Sequence, residues 1–249
     1  MFDLSEKTAV VTGACGGIGR EIVLALAAVG ANVIMADISE ETGKKLSKDM
    51  QDEGLTVSFI KADVTDSESV KNLMESAIKN FASLDIVVNC AGILADSEIT
   101  DISDEDWQRV MKVNMDGVFY CSREAIRIME KQGSGKIINI ASAGGKLGFP
   151  FAGVHYCASK GGVMALTRQL ALQVGHKGIT VNAVAPGTTV TDMIKNRSKE
   201  TVDYIIKHIP IGRMGLPRDT AAAVVFLASS SAGFITGESI DVNGGLYMD

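Results

Sequence analysis

Short apolar runs alternate with longer segments of helical spacing along the whole chain. Each apolar run ends in Gly, Asp or Ser, which predicts a buried strand followed by a turn. The runs are TAVVTG, ANVIMAD, TVSFIKAD, LDIVVNCAG, GKIINIAS, GITVNAVAPG and ESIDVNGG. Strands that are apolar on both faces and separated by helices belong to a parallel sheet covered on both sides. We therefore predict an α/β fold with a doubly wound parallel sheet of about seven strands, as a single domain over residues 1–249.

The segments between these strands show helical spacing and helix-end signals. Gly30 closes the first helix, and Thr65 and Glu68 form a capping box ahead of the third. A long helix is predicted from about Ser103, with Ser103 and Asp106 as its capping pair. The other predicted helices are SEETGKKLSKDMQDEG, YCASKGGVMALTRQLALQVG and PRDTAAAVVFLAS.

Composition and charge limit the kinds of binding partner that we expect for this protein. The chain has 249 residues, of which 46% are hydrophobic, and a formal net charge of −6. The acidic balance argues against nucleic acid or an anionic membrane as a partner. We see no basic segment followed by an apolar one at the N-terminus, and no apolar run approaches the length of a membrane span. These features predict a cytoplasmic protein without a membrane partner.

The cysteines and histidines show no metal-binding pattern. No C-x-x-C and no metal-ligand spacing occurs among Cys15, Cys90, Cys121 and Cys157 or among the three scattered histidines. We predict reduced thiols and no metal site. Whether Cys15 or Cys157 is sensitive to oxidation stays open.

Four glycines fall within seven positions in GACGGIG, residues 13–19, between the first strand and the first helix. Such a turn lets a phosphate approach the backbone, and the helix N-terminus behind it carries free N–H groups and partial positive charge. This arrangement predicts a pyrophosphate seat. The strict G-x-G-x-x-G pattern fails because its third glycine would fall at Ile22. A tight structural turn is the alternative.

Acidic residues end the second and third strands. Asp37 stands 18 residues past Gly19, where a dinucleotide site places a carboxylate on the adenosine ribose. The alternative role of Asp37 is to cap the next helix, for which Ser39 is an equal candidate. Asp63 ends the third strand, in a place to meet the adenine ring.

A possible proton-transfer site lies in SAGGKLGFPFAGVHYCASK, residues 142–160. Tyr156 and Lys160 are four residues apart on one helix face, and Ser142 ends the fifth strand at the same rim of the sheet. A nearby ammonium favours a phenolate and lowers its pKa from about 10. A Ser hydroxyl can hydrogen-bond an oxygen on which charge develops. These three residues therefore predict interconversion of an alcohol and a carbonyl, with a nicotinamide moving the hydride.

The chain resembles the short-chain dehydrogenase/reductase superfamily. The resemblance rests on motifs that run in family order and spacing through nearly the whole chain, and it implies a Rossmann-type fold. One departure is Cys90, where the family usually has a second Asn. The motifs are Thr12-Gly13-x-x-x-Gly17-x-Gly19, DV at 63–64, NCAG at 89–92, Asn114, Ser142, Tyr156-x-x-x-Lys160 and Pro186-Gly187.

The resemblance implies four catalytic residues. Tyr156 is the acid/base, Lys160 lowers its pKa and binds the nicotinamide ribose, and Ser142 positions the carbonyl. Asn114 holds a water in a proton relay to Lys160. Asn is a poor residue for the interior of a helix, which independently favours a functional reason for Asn114.

The resemblance also implies a dinucleotide site and a substrate lid over residues 188–216. Many relatives have Ile where this chain has Thr189, so that contact departs from the family. The implied cofactor contacts are Gly13, Cys15, Gly17, Ile18, Gly19, Asp37, Asp63, Val64, Asn89, Gly92, Tyr156, Lys160, Pro186, Gly187, Thr189 and Thr191.

The implied activity is NAD(H)-dependent interconversion of a secondary alcohol and a ketone. NAD(H) is expected because the Asp37 carboxylate would repel a 2′-phosphate and the next residue is Ile38, not Arg. A 3-oxoacyl-carrier-protein reductase ranks second, since the C-terminal segments resemble that group but its basic patch is reduced to Gly133 and Lys177. A non-catalytic dinucleotide-binding regulator ranks third. The substrate stays open among steroids, polyols, diols and acyl thioesters.

The helices predicted at about 103–131 and 156–174 carry more apolar residues than one sheet face needs. Relatives use the equivalent helices in tetramer contacts, so we predict a homotetramer with two-fold interfaces. The residues behind this prediction are Met111, Val118, Met164, Leu170 and Leu172.

Overall fold

The structure is a computed structural model and describes residues 2–191 and 197–248. Its strands form one parallel sheet in the order β3-β2-β1-β4-β5-β6-β7, which confirms the predicted doubly wound fold. Each strand falls within one of the apolar runs identified above. Their bounds are β1 Thr8–Thr12, β2 Asn32–Asp37, β3 Val57–Lys61, β4 Ile86–Asn89, β5 Gly135–Ile140, β6 Ile179–Pro186 and β7 Ser239–Val242.

Helices connect successive strands. Within the described ranges, none of them is long and apolar enough to cross a membrane. Their bounds are α1 Gly17–Ala28, α2 Glu40–Asp52, α3 Ser67–Phe81, α4 Asp104–Met111, α5 Gly117–Gln132, α6 Val154–Val174, α7 Lys199–Lys207 and α8 Pro217–Ala228.

Alternate residues of the central strands enter two different cores. Val11 of β1 packs with Ile22 of α1 and Val224 of α8 on one side of the sheet. Val10 packs with Leu73 of α3 and Met129 of α5 on the other. Because both faces of β1 are buried, its residues are apolar without the polar alternation of a half-exposed strand.

The sheet order creates a crevice at its centre. β1 pairs with β2 on one side and with β4 on the other. After β3 the chain crosses back to place β4 beside β1, so the point in the sheet where the winding direction reverses lies between β1 and β4. In open parallel sheets, ligands bind outside the carboxyl ends of the strands at such a switch point.

The predicted capping box before α3 is wrong by one residue. The N-cap is Asp66, whose side chain accepts a hydrogen bond from the Glu68 backbone N–H. Thr65 lies one residue before this cap, and its N–H and its hydroxyl both donate to the Asp63 carboxylate, each at 2.8 Å. The Ser103 cap before α4 is confirmed, since its Oγ accepts from the Asp106 N–H at 3.0 Å.

The long helix predicted from Ser103 is not regular. A π-helical turn, Lys112–Asp116, joins α4 to α5. Asn114 lies in this turn and is fully buried. A π-turn inserts an extra residue into a helix and occurs most often at functional sites. The poor helix former at this position thus marks a local departure from α-helical geometry.

The apolar residues that predicted oligomer contacts divide into two groups. Val118 and Met164 belong to the protein's own core, so their role in the prediction is wrong. Leu172 of α6 is 78% exposed, and Trp107 of α4 and Phe119 of α5 are also exposed. The helices named by the prediction therefore present apolar surface through partly different side chains.

Candidate active site

A cavity of about 360 Å³ lies at the carboxyl ends of β1, β4, β5 and β6. It is the place that the sheet order predicts for a ligand. Most of the residues singled out in the sequence line it: Gly13, Gly17, Ile18, Gly19, Asp37, Gly92, Ser142, Tyr156, Lys160, Pro186, Gly187, Thr189 and Thr191.

The glycine turn is shaped by close backbone approaches. Gly13 has φ +64°, and a Cβ there would lie 2.7 Å from Ala91 Cα. A Cβ on Gly19 would collide with the Gly13 carbonyl oxygen. The turn thus folds tightly against the segment after β4 and leaves the start of α1 open to the cavity. The backbone there offers N–H groups and partial positive charge, which suit a pyrophosphate.

The Asp37 carboxylate is held at the rim of the cavity by the backbone. Its Oδ2 accepts from the Cys15 N–H and its Oδ1 from the Ser39 N–H, both at 3.0 Å. An ionised carboxylate offers about four acceptor positions, so these two bonds leave capacity for a ligand's hydroxyl group. The Cys15 N–H fixes Asp37, and Cys15 is not among the described residues that line the cavity, so its contact with a cofactor stays a prediction.

Thr12 fixes the segment that follows β4, although its side chain was not assigned a role in the sequence. Its Oγ1 accepts from the N–H groups of Cys90 and Ala91 at 3.1 and 3.2 Å. Because Thr12 ends β1, it ties the wall of the cavity to the glycine turn. The small side chain next to Gly13 is the sequence signal for this role.

Asn114 fixes the next part of the same segment. Its amide accepts from the Ile93 N–H at 2.9 Å and donates to the Ile93 carbonyl at 3.0 Å and to Ser159 Oγ at 3.1 Å. A Cβ on Gly92 would lie 3.3 Å from Asn114 Oδ1 and 3.4 Å from Lys160 Nζ. Asn114 therefore lies near Lys160, across the space that Gly92 leaves free.

Ser142, Tyr156 and Lys160 meet in the cavity wall. Ser142 follows β5 and its Oγ accepts from the Gly144 N–H at 3.1 Å. Its hydroxyl also forms a hydrogen bond with Tyr156. Lys160 Nζ lies 5.8 Å from the centre of the Tyr156 ring and donates to the Ile140 carbonyl at 2.8 Å. The structure thus brings together the three residues that the sequence places at one rim of the sheet.

Burial has the largest effect on the pKa values of Tyr156 and Lys160. It raises the pKa of Tyr156 above its ordinary value, and the hydrogen bond with Ser142 opposes that shift only in part. Burial also lowers the pKa of the Lys160 ammonium to about 8. The lowering of the Tyr156 pKa expected from Lys160 is therefore not seen in the protein alone, because desolvation outweighs the hydrogen bond with Ser142.

Three other predicted cofactor residues lie away from the described cavity lining. Asn89 is buried in the sheet, where its amide donates to Asn139 Oδ1 at 2.8 Å and to Ser122 Oγ at 3.2 Å. Direct contact of Asn89 with a cofactor stays a prediction. Asp63 is exposed, and its carboxylate accepts a hydrogen bond from the Thr65 hydroxyl. Val64 is buried against Gly117.

The far end of the cavity was predicted only in part: Arg197 and Ile205 fall within the predicted lid at 188–216, whereas its other residues were not assigned a role. It is formed by apolar and aromatic side chains together with one cation, Arg197. Because these residues lie in loops and near α7, no periodic pattern identified them. They are Leu94, Phe149, Phe151, Ala152, Ile205 and Leu246. Residues 192–196 of the predicted lid lie outside the described residues.

Burial raises the pKa values of the cysteine thiols to different extents. Burial raises the pKa of Cys90 and of Cys121 to about 12 and that of Cys15 to about 11. Thiols with such raised pKa values are weak nucleophiles at neutral pH. In the part of the chain that the structure describes, no group of three or more side chains could hold a metal ion.

A parallel sheet of this order with Ser, Tyr and Lys at its carboxyl rim defines a class of oxidoreductases. A family model described as enoyl-(acyl carrier protein) reductase matches residues 13–247. The chain belongs to this family, within the short-chain dehydrogenase/reductase superfamily.

Curated relatives match over the full length of the chain. The 3-oxoacyl-[acyl-carrier-protein] reductase of Haemophilus influenzae is 42% identical over 245 residues, which cover 98% of this chain and 100% of the relative. The enzymes of that name from Staphylococcus aureus and Rickettsia conorii are each 41% identical. Their alignments cover 97% and 100% of this chain, and 98% and 100% of the relatives.

Two solved structures share the fold closely. The crystal structure of gox2181 has a TM-score of 0.96 and 36% identity, with coverage of 98% of this chain and 97% of the other. A gluconate 5-dehydrogenase from Burkholderia cenocepacia, in complex with NADP and tartrate, has a TM-score of 0.94 and 33% identity. That alignment covers 98% of this chain and 96% of the neighbour.

Proposed function

We propose that the protein reduces 3-oxoacyl thioesters to 3-hydroxyacyl thioesters. The observation that carries this proposal is full-length identity of 41–42% to reductases of that name. The sequence alone ranked a general secondary-alcohol dehydrogenase first, and the relatives reverse that order. The apolar walls of the far end of the cavity, among them Leu94, Phe149 and Ile205, suit an acyl chain.

Tyr156 is the proposed proton donor. Its raised pKa keeps the hydroxyl protonated near neutral pH, which suits reduction of a carbonyl. The Tyr156 proton passes to the carbonyl oxygen as the carbonyl carbon gains a hydride, and the product is a secondary alcohol. Ser142 is placed to hydrogen-bond that oxygen. Lys160 holds its ammonium beside Tyr156 and Asn114, and the water relay through Asn114 stays a prediction.

The glycine turn and Asp37 fit a nicotinamide dinucleotide. The glycines let the turn pack closely against its own backbone and the segment after β4, which leaves the start of α1 at the cavity, and Asp37 keeps free acceptor positions there. When bound, such a cofactor supplies the hydride. Gly17, Ile18 and Gly19 would hold its pyrophosphate, while Pro186, Gly187 and Thr191 would lie at its nicotinamide end.

NAD(H) is the proposed preferred cofactor. Lys61, which pairs with Asp37 in the β2–β3 register, and Lys44 on α2 both form ion pairs with Glu40. Glu40 offsets only one of these two positive charges, so the proposed preference rests on the Asp37 carboxylate rather than on an absence of cations. The gluconate 5-dehydrogenase of similar fold was solved with NADP, so the proposed preference differs from the cofactor in that structure.

A secondary-alcohol dehydrogenase acting on a small hydroxy compound is the second candidate. The observation that favours it is the TM-score of 0.94 to a gluconate 5-dehydrogenase. A non-catalytic regulator is disfavoured because Ser142, Tyr156 and Lys160 are all present and in contact with one cavity.

We treat residues 1–249 as one domain and residues 188–216 as the lid over the substrate end of the cavity.

A substrate panel tests the proposed function. Acetoacetyl thioesters on coenzyme A and on acyl carrier protein, a steroid, a polyol, a diol and gluconate are each offered with NAD(H) and NADP(H), and absorbance of the reduced nicotinamide is recorded. We expect the highest kcat/KM with an acetoacetyl thioester. Turnover of gluconate or a polyol with none of the thioesters would reject the thioester proposal. Lys177 already pairs with Glu130, so the carrier protein should have only a modest advantage over coenzyme A.

A homotetramer is proposed from the exposed apolar side chains on α4, α5 and α6. Trp107, Phe119 and Leu172 are exposed there, on the helices that the sequence predicts to form subunit contacts. Light scattering at micromolar concentration should give about four times the chain mass of 26.3 kDa. Phe119→Glu should lower that mass, while Ile78→Glu on α3 serves as a control. A monomeric mass of the unmutated protein would contradict the prediction.

A further inference from the structure

Arg197 is the charged group at the far end of the cavity. The other charged residues among its described lining are Asp37, at the glycine turn, and Lys160, whose ammonium binds the Ile140 carbonyl. Arg197 instead lies against Phe151, with its guanidinium carbon 5.6 Å from the ring centre. Phe151 stands in the loop between Ser142 and Tyr156, so Arg197 is at the end that receives substrate.

The described contacts of Arg197 leave most of its donors available. Nη2 donates to Asp96 Oδ2 at 2.7 Å and to the Phe151 carbonyl at 3.4 Å. A guanidinium has five N–H donors in a rigid fork that matches carboxylate and phosphate oxygens. Within residues 2–191 and 197–248, no hydrogen bond of Nε or Nη1 is found. The edge of the guanidinium that bears these atoms can accept an anion.

The ion pair with Asp96 is too exposed to immobilise Arg197. The side chains of Arg197 and Asp96 are 28% and 40% exposed, and pairs at such exposure contribute little to stability. A guanidinium stacked on an aromatic ring keeps its orientation even when one hydrogen-bond partner is exchanged. Phe151 is itself supported edge-on by Phe149 and Tyr204, at 5.8 and 5.9 Å between ring centres.

We infer that Arg197 binds an anionic group of the substrate, carried beyond the apolar part that lies against Phe149 and Phe151. This inference rests on the proposed carbonyl reduction and adds a feature of the substrate. The chemistry is that of a carboxylate or phosphate. It has two possible sources: the phosphates of a coenzyme A or carrier-protein arm, or the carboxylate of a free oxo acid.

The test compares anionic and neutral substrates in Arg197→Leu. Acetoacetyl-coenzyme A carries phosphates, free acetoacetate carries a carboxylate, and the acetoacetyl thioester of N-acetylcysteamine is neutral. We expect KM for the anionic substrate that the enzyme uses to rise roughly 10- to 100-fold, as for loss of a charge-assisted bidentate contact. KM for the neutral thioester and kcat for all should change less than about threefold. Arg197→Lys should recover part of the loss, because it keeps the charge but not the fork.

Two controls separate binding from structure. Lys199→Leu removes a positive charge two residues away, outside the described cavity lining, and should leave every KM within about twofold. Asp96→Asn should leave KM for the anionic substrate unchanged or lower, because it frees the guanidinium. An increase equal to that of Arg197→Leu would show that the pair only holds the loop, and would overturn the inference.

The remaining outcomes are equally decisive. Equal losses on neutral and anionic substrates, or no loss on either, would reject an anion site at Arg197. Selective loss with acetoacetate in an enzyme that turns over no thioester would support the anion site while rejecting the thioester function. Selective loss with acetoacetyl-coenzyme A would support both.

Discussion

Tyr156→Phe should abolish most of kcat while leaving cofactor binding nearly unchanged. Phe keeps the buried ring in its place beside Lys160 and removes only the hydroxyl that bonds Ser142. A positioned acid/base contributes roughly 10²- to 10⁴-fold to a rate, so a loss of that size is expected. Steady-state reduction of the best substrate in the panel gives kcat, and fluorescence titration with reduced cofactor gives Kd.

Tyr120→Phe is the matched control for this variant. Tyr120 lies on α5, outside the described lining of the cavity, so loss of its hydroxyl should not affect turnover. The pH dependence adds a second measurement. Because burial raises the pKa of Tyr156, reduction should hold across neutral pH and fall as the hydroxyl ionises at high pH, while alcohol oxidation should rise. Turnover by Tyr156→Phe near that of the unmutated protein would remove Tyr156 from its proposed role.

Asp37→Ala combined with Ile38→Arg should weaken or reverse a preference for NADH over NADPH. In the unmutated protein the Asp37 carboxylate can accept bonds from ribose hydroxyls, at about 1.5–3 kcal/mol for each charged hydrogen bond. A 2′-phosphate at the same place would meet a like charge. The exposed side chain of Ile38 adds no compensating cation, and Arg at that position would supply one. The unmutated preference in kcat/KM should be roughly 10- to 100-fold.

The measurement is kcat/KM for both cofactors with one substrate, in the double variant and each single variant. Asp37→Asn is included because Asp37 also receives the Cys15 and Ser39 N–H groups, which Ala would leave without this acceptor. Asn removes the charge and keeps an acceptor oxygen. Equal use of both cofactors, or an NADPH preference, in the unmutated enzyme would contradict the role given to Asp37.

The sheet was predictable from sequence because its signal is local and repeated. Each strand is a short apolar run that ends in a turn residue, and the structure places β1–β7 within those runs. The turn at Asp63 was less clear, since Thr65 and Asp66 are both good N-cap residues. The carboxylate of Asp63 decides between them by binding Thr65, and that contact depends on backbone geometry rather than on spacing.

The site was predictable where it is built on strand ends and one helix face. Ser142, Tyr156 and Lys160 have fixed places relative to β5 and α6, so their meeting follows from the fold. Arg197 and Phe151 lie in irregular segments, and only tertiary packing brings them to the cavity. Asn89 is a residue whose position at a strand end did not reveal the contacts of its side chain. It ends a strand, as a ligand residue would, but its amide is used inside the sheet by Asn139 and Ser122.

The π-turn at Lys112–Asp116 accommodates one residue more than a regular helix would hold between α4 and α5. Val110 before the turn and Val118 after it are both buried, although residues at this spacing would differ by about 80° on a regular α-helix. Deletion of one residue in this stretch would bring that difference to about 20°, so both side chains could stay buried in a regular helix. The same deletion would remove the turn from which Asn114 binds Ile93. A single-residue deletion here should therefore preserve the fold and disturb the cavity wall.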